Sequence, residues 1–296
     1  MAAPILFLAD TGHHTNAVHD HIQAITCDKS FDWIVENPLV CKILHKQDLS
    51  PFAAIGIHYS IKSYSDYYLP AALKKALRNY QGPKFIFLQD EHHDAKFVTA
   101  AILEMGINVV FTLVSPDYYH LAYPSLLNAG IQLVTVLTAY VPDNLKHIDT
   151  PPMASRTLDI FYRSREFPYW LGALAQERSL MAHEVKKLAQ TYHLNADISV
   201  HEHDRIYGRA WIERTYSAKA VLGTESGASI WDADGSIEKQ IKKRLSKNKT
   251  LSFNDISREL LYQFENKIPY ATASPRIFEA AALHTAMILF PGEYSG

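Results

Sequence analysis

Short apolar runs recur along this chain with amphipathic stretches between them, and that alternation is what most narrows the folds open to it. The first five runs are residues 4–10 (PILFLAD), 53–60 (AAIGIHYS), 84–90 (KFIFLQD), 108–115 (NVVFTLVS) and 131–138 (IQLVTVLT). A brief continuous apolar run is the pattern of a strand covered on both faces, as in a parallel sheet. Between the second and third runs Leu69, Ala72, Leu73, Ala76, Leu77 and Tyr80 recur at helical spacing. Val98, Ala101, Ile102 and Met105 do the same ahead of Gly106, a residue suited to stop a helix. Strand, helix, strand, helix predicts a doubly wound α/β sheet.

The alternation breaks over residues 140–155, which carry Pro142, Pro151 and Pro152, and then resumes. Residues 157–164 and 196–202 read as strands around a long helix whose apolar line includes Leu174, Met181, Val185 and Leu188. Residues 218–223 and 287–290 follow as further strands. At 296 residues the chain exceeds one ordinary core. The expectation is therefore two Rossmann-like doubly wound α/β domains, residues 1–150 and 151–296. The chain stops at GEYSG, where a wound sheet would continue into a helix, so the second domain is expected to be truncated at its C-terminus.

Several function classes lose support. A formal net charge of -2 supplies no global field to attract nucleic acid. Cys27 and Cys41 form no CxxC pair and no framework, which fits free thiols in a reducing compartment. The opening MAAPILFLAD has no Lys or Arg before its apolar run and is closed early by Asp10, so it reads as a strand and not a signal peptide. The most apolar region, 106–142, is broken by Pro116, Asp117, His120, Asn128 and Gly130, short of the roughly 18 apolar residues of a membrane span. A soluble, cytoplasmic protein is expected. No GxGxxG follows the first strand, and neither GxxxxGK[ST] nor GxSxG occurs, which argues against dinucleotide, P-loop and serine-hydrolase sites.

In open α/β sheets ligands lie beyond the carboxyl ends of the strands, so the residues that follow each apolar run matter most. Those of the first half are Asp10, Thr11, Gly12, His13 and His14, then His58, Tyr59 and Ser60, then Asp90, Glu91, His92 and His93. These are metal-ligand types, but with 15 histidines in the chain their proximity in sequence is unspecific, and no metal is assigned. Asp90, Glu91 and His92 are the candidates for a general base acting on an acceptor hydroxyl.

The second half offers cations and small polar residues. Arg163 and Arg165 leave its first strand, where guanidinium groups suit a diphosphate, although a basic turn paired with Glu166 would look the same. The segment GTESGAS, 223–229, reads as a loop in which Glu225, Ser226 and Gly227 approach a ligand. In SPRIFEAAALHTAMILF, Ser274 is suited to cap a helix and Pro275 to open it. Arg276 then lies in the first turn and Glu279 three residues on, sharing a face. The pair suits phosphate and ribose hydroxyls, or else is a plain surface ion pair. Residues 237–249, with Lys239, Lys242, Lys243, Arg244, Lys247 and Lys249, predict an amphipathic basic helix, either solvated or touching an anionic membrane.

The order YRSR, KAVLGTESGAS, SPRIFEAAALHTAMILF and GEYSG resembles the carboxyl-terminal half of the CgeB-like glycosyltransferases over about residues 156–296. The resemblance implies a two-Rossmann GT-B architecture and transfer of a sugar from a nucleotide-sugar to a hydroxyl acceptor in surface glycan or glycoconjugate synthesis. It implies no cofactor and no metal. It makes Glu279 the ribose-binding residue and the second domain the donor side, with Arg163, Arg165, Glu225, Ser226, Gly227 and Arg276 around it. Many members of the wider superfamily carry another Glu eight residues earlier, where this chain has Ala271. That departure favours, as the first alternative, a noncatalytic carbohydrate- or nucleotide-binding module. A metal-dependent hydrolase using the His-rich crevice is the second.

Overall fold

The computed structural model describes residues 3–40, 48–138, 140–141 and 143–294. Cys41, Pro142 and the last two residues of GEYSG lie outside the described residues. The chain divides into two compact units. The first comprises Met1–His14, Val18–Val136 and Asp232–Ser236; the second comprises Thr15–Ala17, Leu137–Trp231 and Ile237–Gly296.

The first unit is built on β1 (Ile5–Leu8), β2 (Trp33–Glu36), β3 (Ala54–Ile57), β4 (Lys84–Phe87), β5 (Val109–Thr112) and β6 (Gln132–Thr135). They form one sheet in the order β2-β1-β3-β4-β5-β6, and all its pairings are parallel. The helices are α1 (Asn16–Thr26), α2 (Ala71–Asn79), α3 (Ala95–Met105) and the short α4 (Tyr119–Ala122) and α5 (Pro124–Asn128). Every residue of β1 is buried, as the continuous apolar run requires of a strand covered on both faces. Phe7 packs with Val18 and Ile22 of α1 and against Phe85 and Phe87 of β4. Gly106 ends α3 in the left-handed conformation at φ 65°, the helix stop expected there. Lys84, buried at the start of β4, donates to the carbonyls of Leu77 (3.0 Å) and Tyr80 (2.7 Å) and so closes the end of α2.

The second unit contains α6 (Asp143–Lys146), β7 (Leu158–Arg163), α7 (Ala173–Thr191), β8 (Ala196–Ser199), α8 (Gly208–Ser217), β9 (Ala218–Gly223), β10 (Ser226–Ile230), α9 (Ser236–Lys247), α10 (Phe253–Glu259), β11 (Glu265–Thr272), α11 (Pro275–Ala282) and β12 (Ala286–Leu289). Strands β12-β9-β7-β8 form a four-stranded sheet, parallel throughout. Neighbouring residues of β7 bury opposite sides. Ile160 and Tyr162 pack with Met181 and Ala182 of α7, whereas Phe161 packs with Ala280 of α11 and Trp211 of α8. The fold is thus mixed α/β with two parallel sheets, compatible with Rossmann-like units.

Two features depart from the sequence expectation. The Pro-rich stretch near 150 is stitched to the second unit. Thr138 donates through its hydroxyl to the Ala273 carbonyl, and buried Arg156 donates to Pro151 O (3.0 Å), Ala218 O (2.8 Å) and Thr285 Oγ1 (3.0 Å). The chain passes from one unit to the other at Val136/Leu137, so the boundary read at 150/151 falls inside the second unit. The second feature is that most of GTESGAS is strand where a loop is expected: Gly223 ends β9, Thr224 and Glu225 connect, and Ser226 begins β10. Ser226, Gly227 and Ala228 pair with Thr272, Ala271 and Tyr270 in the antiparallel β10-β11 hairpin. Beyond it Ile237, Ile241, Ile256 and Leu261 form a separate small core under α9 and α10. The amphipathic basic helix expected over 237–249 is α9, its Ile237 and Ile241 buried. Among the described residues no helix is long and apolar enough to cross a membrane.

Gly227 shows how tightly the hairpin closes. Its φ is +100° and a Cβ would lie 1.9 Å from the Tyr270 carbonyl oxygen. Gly227→Ala should cost about 3 kcal/mol or more in chemical denaturation, combining backbone strain with a clash against main chain. Gly130→Ala, at φ +73° with nothing within 4 Å, should cost only about 1 kcal/mol. Equal losses at the two positions would contradict this packing.

Candidate functional site

Strand order reverses once in each parallel sheet. In the first unit β2 and β3 flank β1 on opposite sides, and in the second β8 and β9 flank β7. At such a reversal the loops leaving two neighbouring strands run apart and open a crevice at their carboxyl ends. A cavity lined by Phe52, Ala53, Asn79 and Tyr80 opens instead before β3 and β4 begin, away from the edge where the polar loops gather.

At the β1/β3 reversal, Asp10 Oδ1 accepts from Gly12 N (3.0 Å) and Asn37 Nδ2 (3.0 Å), which fixes the turn after β1. His58, wholly buried at the end of β3, meets Ser60 Oγ through Nδ1 at 2.9 Å and His21 Nδ1 through Nε2 at 3.0 Å. Ser60 Oγ in turn accepts from Asp10 N (2.9 Å). His21 comes from α1 and lies against Tyr59 and, edge to face, against Phe87. His13 and His14 stack on each other, ring centroids 4.7 Å apart. Among the described residues no group of three or more His, Cys, Asp or Glu is arranged to hold a metal ion.

The three candidate bases differ in environment. Asp90 is exposed and holds a left-handed backbone at φ 55°. Glu91 is buried, and its carboxylate accepts from Thr112 Oγ1 (2.5 Å), from Leu113 N (2.7 Å) and from the Tyr123 hydroxyl. It is a clamp joining the segment after β4 to β5 and to Tyr123. His92 is buried too, and its carbonyl accepts from Asp232 N (2.7 Å).

At the β7/β9 reversal, Arg163 is committed to the protein. Its guanidinium donates to the carbonyls of Asp204, Tyr162 and Asp197 at 3.0–3.1 Å and pairs with the Asp197 carboxylate at 2.6 Å. The group ties the ends of β7 and β8 together. Arg165 is exposed and lies over the Phe167 ring at 4.8 Å, which also carries Arg178 of α7 at 4.2 Å. Arg178 reaches the Glu225 carbonyl (3.5 Å) across the reversal. Glu225 is buried, and its Oε1 accepts from Tyr294 N at 2.7 Å, anchoring the segment after β12. Ser226 and Gly227 are hairpin residues. Glu225 thus anchors the chain after β12, and Ser226 and Gly227 open the β10-β11 hairpin.

Arg276 and Glu279 do come together at this edge. Pro275 opens α11 after an extended Ser274, although the Ser274 side chain makes no capping bond. Exposed Arg276 donates to the Arg163 carbonyl and lies over the Trp211 ring at 4.7 Å. The Trp211 indole N–H donates to Glu279 Oε2 at 2.7 Å. An arginine, an indole face and a carboxylate thus line one patch, which Arg205 and Tyr207 extend, the guanidinium 5.0 Å over the ring. Sequence reasoning missed Trp211, Arg178 and Arg205, because helical spacing alone does not say that α8 and α11 share a sheet face. The chain matches no protein-family model and no curated protein.

Burial holds both linked histidines neutral. It lowers His21 from 6.5 to about 4, and with the neighbouring His21 and His13 it lowers His58 to about 3. In the unfolded chain each ring protonates near its ordinary value of about 6.5. The folded state then binds fewer protons between about pH 4 and 6.5, so its stability is full above that window and falls as pH drops through it. His21→Gln should reduce the slope of unfolding free energy against pH by about 1.4 kcal/mol per pH unit there. An unchanged slope in urea titrations at stepped pH would contradict the neutral pair.

Proposed function

We propose that the chain is a glycosyltransferase of GT-B architecture and CgeB-like kind, which moves a sugar from a nucleotide-sugar to a hydroxyl acceptor in glycan or glycoconjugate synthesis. The observation that carries this reading is the Arg276–Trp211–Glu279 patch at the β7/β9 reversal, where an α/β sheet offers a ligand site. Arg276 in the first turn of α11 supplies a fixed cation for the diphosphate, and the free amides of that turn add to it. Trp211 presents an aromatic face, and Glu279 accepts from ribose hydroxyls. Arg165 and Arg178, rather than Arg163, are the further cations toward the leaving group as its charge develops. On this reading the arginines do the work of a divalent cation and no cofactor takes part. The enzyme works in the cytoplasm, where the basic face of α9 is available for peripheral contact with an anionic membrane.

A noncatalytic nucleotide-binding module is the second reading, favoured by the structural commitment of Glu91. Release of nucleoside diphosphate from a bound nucleotide-sugar separates the two, since a binding module releases none.

Glu279→Gln keeps the size of the side chain and an acceptor for the Trp211 indole but removes the charge. Calorimetric titration with the common nucleoside diphosphates should show the bound one weakened ten- to a hundred-fold, as expected for a charge-assisted bond of about 1.5–3 kcal/mol. An affinity within twofold of wild type would mean that Glu279 only orients Trp211.

A further inference from the structure

Helix α7 buries one line of its surface against the four-stranded sheet, where Met181, Ala182 and Val185 pack with Ile160, Tyr162 and Leu222. One turn before Met181 the same line carries Glu177, at a position the helical repeat gives to an apolar side chain. The start of α7 is tied down by the protein itself. Ala173 N donates to Glu265 Oε1 (3.0 Å) and Leu174 N to Ser229 Oγ (3.1 Å), so these amides are already bound. Gln176 Nε2 donates to the carbonyls of Phe167 (3.2 Å) and Pro168 (3.4 Å). What this end of α7 offers a ligand is therefore side chains, Glu177 and Arg178. Glu177 is half-buried, and among the described residues no hydrogen bond or ion pair reaches its carboxylate. Burial and the nearby Glu225 push its carboxyl above the ordinary range, and Arg178 offsets this only in part. Tyr294, after β12, is the other titratable group coupled to it.

We propose that Glu177 is the specificity-determining residue for the transferred sugar, its carboxylate accepting from vicinal hydroxyls of a hexosyl group seated at the carboxyl ends of β7 and β9. The assignment rests on the glycosyl-transfer reading, and it names the group that takes the sugar end of the donor. The contacts run as one path within the second unit. Glu279 holds the Trp211 indole N–H (2.7 Å) and Arg276 covers the ring. Arg276 in turn donates to the Arg163 carbonyl. Beyond Arg163, Arg165 lies over the Phe167 ring and Arg178 shares it. Arg178 reaches the Glu225 carbonyl (3.5 Å), and Glu177 is coupled to both. A donor laid along this path has its ribose on Glu279, its diphosphate among the arginines and its sugar against Glu177. A hexose brings hydroxyl donors and no charge, which suits a carboxylate with open lone pairs beside cations engaged by phosphate. Glu225 is less open to the role, because its Oε1 already accepts from Tyr294 N. An unpaired, half-buried acid on a packing face costs the fold stability, as binding groups do when they are kept for a ligand.

Calorimetric titration of the whole chain with UDP, GDP and dTDP, and with UDP-glucose, UDP-N-acetylglucosamine, GDP-mannose and dTDP-glucose, separates the sugar's share of binding from the nucleotide's. Glu177→Gln keeps the size of the side chain and removes its charge. It should leave the Kd of the bound nucleoside diphosphate within twofold of wild type and weaken the matching nucleotide-sugar about ten- to a hundred-fold. Thermal unfolding of the same variant gives a second readout. Removing a carboxylate that Glu225 repels should leave Tm unchanged or raise it, whereas a carboxylate that served the fold would lower it on removal. A nucleotide-sugar weakened no more than its nucleoside diphosphate, or a lowered Tm, overturns the assignment and leaves the glycosyl-transfer reading standing. A wild-type chain that binds none of the nucleoside diphosphates refutes that reading, and the assignment falls with it.

Discussion

Two parallel strands whose crossovers leave in opposite directions cannot have the space beyond their carboxyl ends filled by their own connections, and this constraint governs where the chain collects its polar chemistry. It applies twice, at β1/β3 and at β7/β9. At each reversal the backbone is tied first and the chemistry is added to it. Asp10 fixes the turn after β1 by accepting from Gly12 and Asn37. Arg163 fixes the ends of β7 and β8 by donating to three carbonyls and one carboxylate. Buried donors and acceptors near a strand end are costly when unmet, by about 1–3 kcal/mol each, so groups that look catalytic are first called on for the fold.

That competition explains what was legible in the sequence. All strands of the two parallel sheets but β2, and the helices α2, α3, α7, α9 and α11, were readable because their signal is local: β1 is a continuous apolar run, and α11 announces itself with Pro275 at its first position. The hairpin was not. Gly227 and Ser226 carry the composition of a loop, and only the close approach to Tyr270 shows that the glycine serves pairing. β2, at the edge of its sheet, has only Trp33, Ile34 and Val35 between Asp32 and Glu36, too brief an apolar run to stand out.

Site residues divide the same way. Arg276 and Glu279 were found together because they are three residues apart on one helix, a relation that spacing encodes. Arg163 and Glu91 have the right chemistry at the right strand ends, but their partners, Asp197 and Thr112, lie 34 and 21 residues on, and nothing local discloses them. His21 was missed for the same reason, since its partner His58 is 37 residues away. Trp211 likewise acquires a role only once α8 and α11 cover one face of the four-stranded sheet.

The central claim is that the carboxyl end of the four-stranded sheet, at the β7/β9 reversal, is where a nucleoside diphosphate binds. Hydrogen exchange read by mass spectrometry, on the whole chain with and without the nucleoside diphosphate at saturation, tests it most directly. The account predicts slowed exchange in peptides covering residues 163–178, 205–211 and 274–279, with little change at the amino ends of the strands. Protection confined to other parts of the chain, or none at saturation, would contradict it.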